Sequence, residues 1–164
     1  MLFRSMKRRH LRDDSIRFCQ NIRARRPDVV FGADIIVGFP TETDAMFENS
    51  LKIVDECGLT NLHVFPFSPR EGTPAAKMPQ VSRTIAKARA AQLRAKGNEA
   101  YVRHLEKLVG TRQTALIERS GNGRTEGFTL VKLQSPDHGS LVDVMITGHD
   151  ATMLTGIVTP RKAA

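Results

Sequence analysis

The chain contains few of the residues on which self-contained catalytic or metal sites are built. Its 164 residues include two cysteines, one tyrosine and no tryptophan. Cys19 and Cys57 are far apart in the sequence, and each falls in a helix-like pattern. Neither a disulfide framework nor a CxxC metal site is therefore predicted, and both cysteines are expected to be small buried hydrophobic residues.

Long apolar runs and familiar catalytic motifs are also missing. No stretch approaches the roughly 18 uncharged residues that span a bilayer, and the amino terminus has no signal-peptide core. A cytoplasmic protein with no membrane partner is expected. The sequence has no P-loop, no GxSxG and no HExxH, and its five histidines are scattered. No catalytic and no metal-ligating residue is therefore assigned.

Positive charge dominates the composition. The net charge is +8 and the isoelectric point is near 10.1. Such an excess attracts phosphate polyanions, so nucleic acid is the first partner to consider, although a solvated helix face is the expected role of each basic residue taken singly. The excess lies in two blocks, which are Arg4, Lys7, Arg8, Arg9, Arg12, Arg17, Arg23, Arg25 and Arg26, and then Arg83, Lys87, Arg89, Arg94, Lys96, Arg103, Lys107 and Arg112.

The first part of the sequence has the pattern of an α/β fold. Helices are predicted over residues 13–26 and 44–56, the second capped by Thr43, and strands over 29–37 and 61–67. This order is typical of βαβ units and a parallel sheet. Because residues 29–37 are almost all apolar, that strand is expected to be covered on both faces, and Asp34 inside it is expected to have a partner or a function.

The last part of the sequence has the pattern of an all-β fold. A long helix begins after Ser82 and ends at Gly110. Beyond it, strand-like runs over 114–118, 127–133 and 140–147 alternate with turn residues, which indicates a small antiparallel barrel of OB-like size. Two domains are therefore predicted, 1–110 and 111–164.

Three local patterns are candidates for binding. Residues 6–10 precede a helix and would clamp phosphates or form a solvated helix start. Residues 34–43 place a turn at a strand end, with Glu42 beside amide donors or in an ordinary strand-to-helix turn. Residues 63–75 end a strand in a stiff loop around Arg70, which suits a carboxylate or a phosphate.

Together these segments resemble a known family. The order MKRRH, GADIIVGFPTET, HVFPFSPREGTPA, a long basic helix and a β-domain resembles the carboxyl-terminal part of the radical S-adenosylmethionine methylthiotransferases. The phrase HVFPFSPREGTPAAKMP most resembles the subgroup that methylthiolates threonylcarbamoyladenosine beside the tRNA anticodon. Related subgroups act on isopentenyladenosine in tRNA or on a ribosomal protein. The resemblance implies the end of a partial (β/α)6 barrel, followed by an RNA-binding TRAM barrel.

The resemblance also implies cofactors, partners and site residues. The partners would be the anticodon stem-loop of tRNA and the missing amino-terminal half of the protein. The chain is otherwise expected to be a monomer. The family uses S-adenosylmethionine and a four-iron four-sulfur cluster held by CxxxCxxC. The residues implied to bind S-adenosylmethionine are Asp34, Gly38, Phe39, Pro40, Glu42, Val64, Phe65 and Phe67. Those implied to bind substrate are Arg8, Arg9, Arg70 and Thr73.

The departures from the family pattern define a second expectation. The sequence has no CxxxCxxC, and the resemblance would place four barrel strands and a further cluster-binding domain ahead of it. The chain is therefore expected to be a fragment that is inactive alone, because cleavage of S-adenosylmethionine requires the cluster. The alternatives are a non-enzymatic RNA-binding module and a non-functional product.

Overall fold

The computed structural model describes residues 9–119, 121–134 and 137–160. The chain divides into two units, Met1–Ala100 and Tyr101–Ala164. The first contains α1 (Arg12–Arg25), β1 (Phe31–Val37), α2 (Asp44–Glu56), β2 (Leu59–Pro66), a 3-10 turn (Pro74–Lys77) and most of α3 (Arg83–Leu108). Among the helices of the described residues, none is both long and apolar enough to cross a membrane.

Local capping explains where the helices of the first unit begin. The Leu11 amide donates to the Asp14 carboxylate at 2.8 Å ahead of α1, and this bond lowers the pKa of Asp14. The predicted cap of α2 is confirmed, because the Met46 amide donates to the Thr43 hydroxyl at 3.3 Å. The Ile85 amide likewise donates to Ser82 at 3.3 Å ahead of α3.

β1 and β2 form a parallel pair, as the helix–strand order predicted. The register places Asp34 opposite His63 and Ile36 opposite Phe65. One face of this pair packs on the helices. Its core consists of the strand residues Val37, Leu59 and Val64 with Cys19, Phe47, Ile53, Val54, Cys57, Ala90, Leu93 and Ala100, and the half-buried Ala33, Ile35 and Leu62 pack against it.

The second unit contains a closed barrel. Within the described residues its strands are β3 (Arg112–Arg119), β4 (Asn122–Thr125), β5 (Leu130–Lys132), β6 (Leu141–His149) and β7 (Leu154–Thr159), in the order β3-β4-β5-β7-β6. The small barrel was predicted, but β4 and β7 were not. The prediction of a wholly antiparallel barrel is wrong at one pair, because β5 and β7 run parallel.

The barrel encloses its own apolar core, and one histidine lies at its margin. Leu105 of α3 packs there with Ile117, Val144, Ile146 and other strand residues. A ring nitrogen of His104 lies 2.9 Å from the hydroxyl oxygen of Thr129. Burial, with a smaller contribution from the charge of Lys107, lowers the pKa of His104 below its ordinary 6.5.

This shift predicts that the barrel unit loses stability in mild acid. The folded state favours the neutral ring, so the unfolded chain binds the additional proton first as the pH falls. His104 therefore stabilises the fold above pH 6.5, and this stabilisation is lost between 6.5 and the lower pKa of the folded state. The His104→Gln variant should lose stability less steeply over this range.

The measurement is urea unfolding followed by the fluorescence of Tyr101, which belongs to the barrel unit and is the one tyrosine of the sequence. The control is His138→Gln, because His138 is exposed. If H104Q and the wild-type chain show the same pH dependence, the role given to His104 is wrong.

Candidate functional site

The candidate site begins with the face of the β1–β2 pair that the helices leave open. Exposed residues alternate with inward ones, so Asp34, Ile36, His63 and Phe65 share this face. The prediction that this strand is covered on both faces is therefore wrong for the described structure. Ile36 is 37% exposed and Phe65 is 50% exposed. Asp34 is likewise a solvent-accessible carboxylate rather than a buried charge that needs a partner.

A cavity of about 920 Å³ adjoins this face. It follows the edge of β1 that has no partner strand among the described residues, and residues from both faces of β1 therefore line it. α1 also lines it through Phe18 and Cys19, while Asp14, Asp34 and His10 supply polar groups. Such a mainly apolar hollow with a few polar groups suits an organic ligand.

The turn after β1 is closed by a buried ion pair. The Gly38 amide donates to Oε2 of Glu42 at 2.8 Å, and Nη1 of Arg89 donates to the same oxygen at 2.8 Å. Arg89 also donates to the Glu42 carbonyl at 3.0 Å and to Asp44 at 2.6 Å. The central carbon of its guanidinium lies 5.4 Å from the centroid of the Phe47 ring. Glu42 is thus committed to holding the turn.

This ion pair corrects one of the predicted nucleic-acid contacts. Arg89 was counted in the second basic block, whose members were expected to face solvent or phosphate. Its side chain is only 8% exposed, and that of Glu42 is fully buried. A guanidinium so placed neutralises the carboxylate, and it is not available to RNA. The other oxygen of Glu42, Oε1, is buried without a hydrogen-bond partner in the described structure.

The predicted S-adenosylmethionine residues fall into two groups. Asp34 and Phe65 line the cavity. The turn residues Gly38, Phe39, Pro40 and Glu42, together with Val64, are buried. The half-buried Phe67 packs edge-on against Phe39, with ring centroids 5.1 Å apart. The structure therefore brings only part of the predicted set to an accessible surface.

The predicted substrate residues are more exposed. Arg8 lies outside the described residues, and Arg9 is exposed. The side chain of Arg70 is also exposed, while the Thr73 hydroxyl donates to the Arg70 carbonyl at 2.7 Å. Thr73 thereby fixes the loop and also caps the 3-10 turn. This bond fixes the Arg70 backbone, and the expectation that the loop holds the Arg70 guanidinium in place stays a prediction.

The barrel unit carries a second candidate surface. Phe128 is 75% exposed and has a φ of 61°, in the left-handed region that bulky residues rarely adopt. Its amide donates to the Thr125 carbonyl at 2.9 Å, and Arg124 donates to its carbonyl at 3.2 Å. The predicted strand over 127–133 is wrong here, because the chain turns at Phe128 and β5 starts at Leu130. The turn presents an aromatic ring to solvent.

Sequence comparison identifies relatives of the chain. No family model matches the sequence. The threonylcarbamoyladenosine tRNA methylthiotransferase MtaB of Rickettsia prowazekii is 53% identical over 137 residues, which are 81% of this chain and 32% of that protein. The tRNA-2-methylthio-N(6)-dimethylallyladenosine synthases of Cereibacter sphaeroides and Orientia tsutsugamushi are 33% and 32% identical, over 94% and 98% of this chain. The chain belongs to the tRNA methylthiotransferase family. It spans about a third of the length of these curated relatives, 32% to 38%.

The two cysteines of this family member do not fit an iron–sulfur cluster. The sequence has no CxxxCxxC, and the described residues contain no group of three or more metal-ligating side chains. Cys19 and Cys57 are both buried, as predicted. No sequence spacing connects them, yet both belong to the same apolar core and both line the cavity. Ile36 and His63, on the open face, lie within the predicted binding segments 34–43 and 63–75, but neither was named as a site residue.

Proposed function

We propose that this chain is the carboxyl-terminal part of a tRNA methylthiotransferase that modifies threonylcarbamoyladenosine, and that it supplies the tRNA-binding surface and one wall of the cofactor site. The observation that carries the proposal is the parallel β1–β2 pair, covered by helices on one face and open on the other. In a partial barrel the open face becomes the interior. Asp34 and Phe65 would then face the bound cofactor.

The choice of nucleoside rests on sequence similarity. The relative named for threonylcarbamoyladenosine is 53% identical, whereas those named for dimethylallyladenosine are 32% and 33% identical over more of the chain. The loop around Arg70 agrees with the first subgroup. Modification of isopentenyladenosine or of a ribosomal protein is the alternative substrate class.

The cofactor-facing residues would act in two ways. One S-adenosylmethionine, when bound to a reduced cluster, would supply a radical, and a second would supply the methyl group. Asp34 on the open face would accept hydrogen bonds from its polar groups, and Phe65 would cover an apolar edge. The buried Gly38–Glu42 turn would hold the end of β1 in place. Because the cluster ligands are absent from this sequence, we infer that the chain alone does not cleave S-adenosylmethionine.

Binding of tRNA would combine charge with stacking. Unpaired bases stack on exposed aromatic rings, and each such contact contributes about 1–3 kcal/mol. Phe128 offers such a ring, held out by its backbone hydrogen bonds with Arg124 alongside. Exposed basic residues such as Arg9 and Arg70 would contact phosphates.

Phe128 provides the test. We expect the chain to bind an anticodon stem-loop RNA with an affinity that falls as salt rises. Phe128→Leu should weaken binding about tenfold, because an apolar side chain stays but stacking is lost. Phe128→Gly should weaken binding as much while raising stability by about 1 kcal/mol, because glycine adopts a positive φ without strain. Fluorescence anisotropy and urea unfolding give the two readouts.

The control is Ile157→Ala, because Ile157 is a barrel residue that is 63% exposed and not aromatic. It should leave RNA binding unchanged. Equal binding by F128L and the wild-type chain would remove Phe128 from the proposal, and no salt-dependent binding at all would overturn the tRNA role. Stoichiometric uptake of iron and sulfide followed by cleavage of S-adenosylmethionine would overturn the inferred inactivity.

A non-enzymatic RNA-binding protein is the second candidate function. The closed barrel with its exposed Phe128 favours it, since this surface does not depend on the cofactor. The two candidate functions make different predictions for the first unit. Addition of S-adenosylmethionine should protect amides of β1 and β2 from hydrogen exchange only if the open face binds the cofactor.

A further inference from the structure

The first unit brings its two cysteines together. Cys19 lies in the middle of α1, and Cys57 follows the last residue of α2. Cys19 is 7% exposed, Cys57 is 2% exposed, and both belong to the same apolar core. Arg23, four residues after Cys19 and thus on the same face of α1, donates to the Cys57 carbonyl at 2.8 Å. The face of α1 that carries Cys19 therefore lies against Cys57. Two segments of the chain that are remote in sequence thus meet at a pair of thiols.

The thiol pair can be reached from solvent although both residues are buried. Cys19 and Cys57 each line the cavity of about 920 Å³ beside β1. A small oxidant that enters this cavity would therefore meet both sulfur atoms. A structural pair sealed inside a core would offer no such access.

The surroundings of Cys57 make oxidation of its thiol slow near neutral pH and dependent on pH. Burial, followed by the influence of the Cys19 thiol, raises the pKa of Cys57 to about 11. Two guanidinium groups act in the opposite direction, those of Arg12 and Arg23. Arg23 is fixed there, because it donates to the Cys57 carbonyl at 2.8 Å. Since the thiolate is the reactive form, reaction at Cys57 should accelerate as the pH rises above neutrality.

We propose that Cys19 and Cys57 are an oxidation site that closes to an internal disulfide and joins α1 to the end of α2. With a small-molecule disulfide as oxidant, a thiolate of the pair attacks one sulfur and releases one thiol. The second cysteine of the pair then displaces the bound half as another thiol. The two protein sulfurs become bonded and lose two protons and two electrons, and the oxidant takes them up as two thiols.

The bond would have a direct consequence for the cavity. α1 contributes Phe18 and Cys19 to one wall. A covalent link from Cys19 to the end of α2 would hold that wall in place. It would also close a loop in the unfolded chain and thereby lower the conformational entropy of the unfolded state. Oxidation should therefore stabilise the first unit.

The test is oxidation of the reduced full chain with oxidised glutathione near pH 8.5, followed by non-reducing intact mass spectrometry and alkylation. The wild-type chain should become lighter by about 2 Da, the two hydrogens lost. It should stay monomeric by size-exclusion chromatography, with both cysteines protected from alkylation. Its melting temperature should rise by about 5 °C or more.

The single variants Cys19→Ser and Cys57→Ser are the matched controls. Each should retain one glutathione as a mixed disulfide, because the thiol that would displace it is missing. The proposal is overturned if the oxidised wild-type chain keeps glutathione, forms a disulfide-linked dimer, or retains two alkylatable thiols. The wild-type result decides the question even if a serine variant folds poorly.

Discussion

Replacement of Arg89 by methionine should lower the free energy of unfolding of the first unit by about 3–5 kcal/mol. The reason is that Glu42 would keep its buried carboxylate and lose the guanidinium that pairs with it at 2.8 Å. The variant also loses the bond to the Glu42 carbonyl at 3.0 Å. The free energy lost when a buried charge is left unpaired is larger than the net stabilisation that the intact ion pair provides.

The measurement is thermal and urea unfolding followed by far-UV circular dichroism, which reports the helices of the first unit. Asp44→Asn is the matched control. It removes the other carboxylate that pairs with Arg89, and the side chain of Asp44 is 98% exposed. This variant should lose less than about 1 kcal/mol. The double variant Glu42→Gln with Arg89→Met should recover part of the loss, because no charge is then left buried. Similar losses for R89M and D44N would contradict the assignment.

Replacement of Gly38 by alanine should cost about 2–4 kcal/mol. Gly38 has a φ of 70°, which alanine adopts at a cost of about 1 kcal/mol. An added Cβ would also lie 2.5 Å from the Cβ of Ala86 and 3.2 Å from its Cα. Backbone and a methyl group cannot move aside as a flexible side chain can, so α3 or the turn must shift.

Gly72→Ala separates the two causes. Gly72 has a φ of 79°, but nothing lies within 4 Å of the position of an added Cβ. It should therefore show the backbone cost alone, about 1 kcal/mol. The difference between G38A and G72A, measured by urea unfolding, gives the cost of the contact with Ala86. If the two variants are equally stable, α3 does not pack on the turn as described.

Local features of the fold could be predicted from the sequence. The bounds of α2 and its Thr43 cap were predicted correctly, because a cap and the helix after it depend on neighbouring residues. The parallel pair and a small barrel also followed from the order and period of apolar residues. β4 could not be recognised, because Gly121-Asn122-Gly123 has the composition of a turn and pairs only when β3 and β5 lie beside it.

The features that depend on distant residues were predicted poorly. An apolar run indicates that a strand is buried, but it does not show whether one face or both faces are covered, so Asp34 was expected to be enclosed. Arg89 looked like other basic residues of its helix until the fold placed it on Glu42. The meeting of Cys19 and Cys57 likewise depends on how α1 and α2 pack. The Arg89–Glu42 and Cys19–Cys57 contacts each join residues that no sequence spacing connects.

The pairing of Glu42 with Arg89 bears on the order in which the protein acquires its structure during synthesis. Arg89 is made 47 residues after Glu42, which at about 5–20 residues per second is a delay of roughly 2 to 9 seconds. Until then the Glu42 carboxylate must stay hydrated, and the turn after β1 cannot close. A chain released before α3 is complete would thus contain the sequence of this turn without its native conformation.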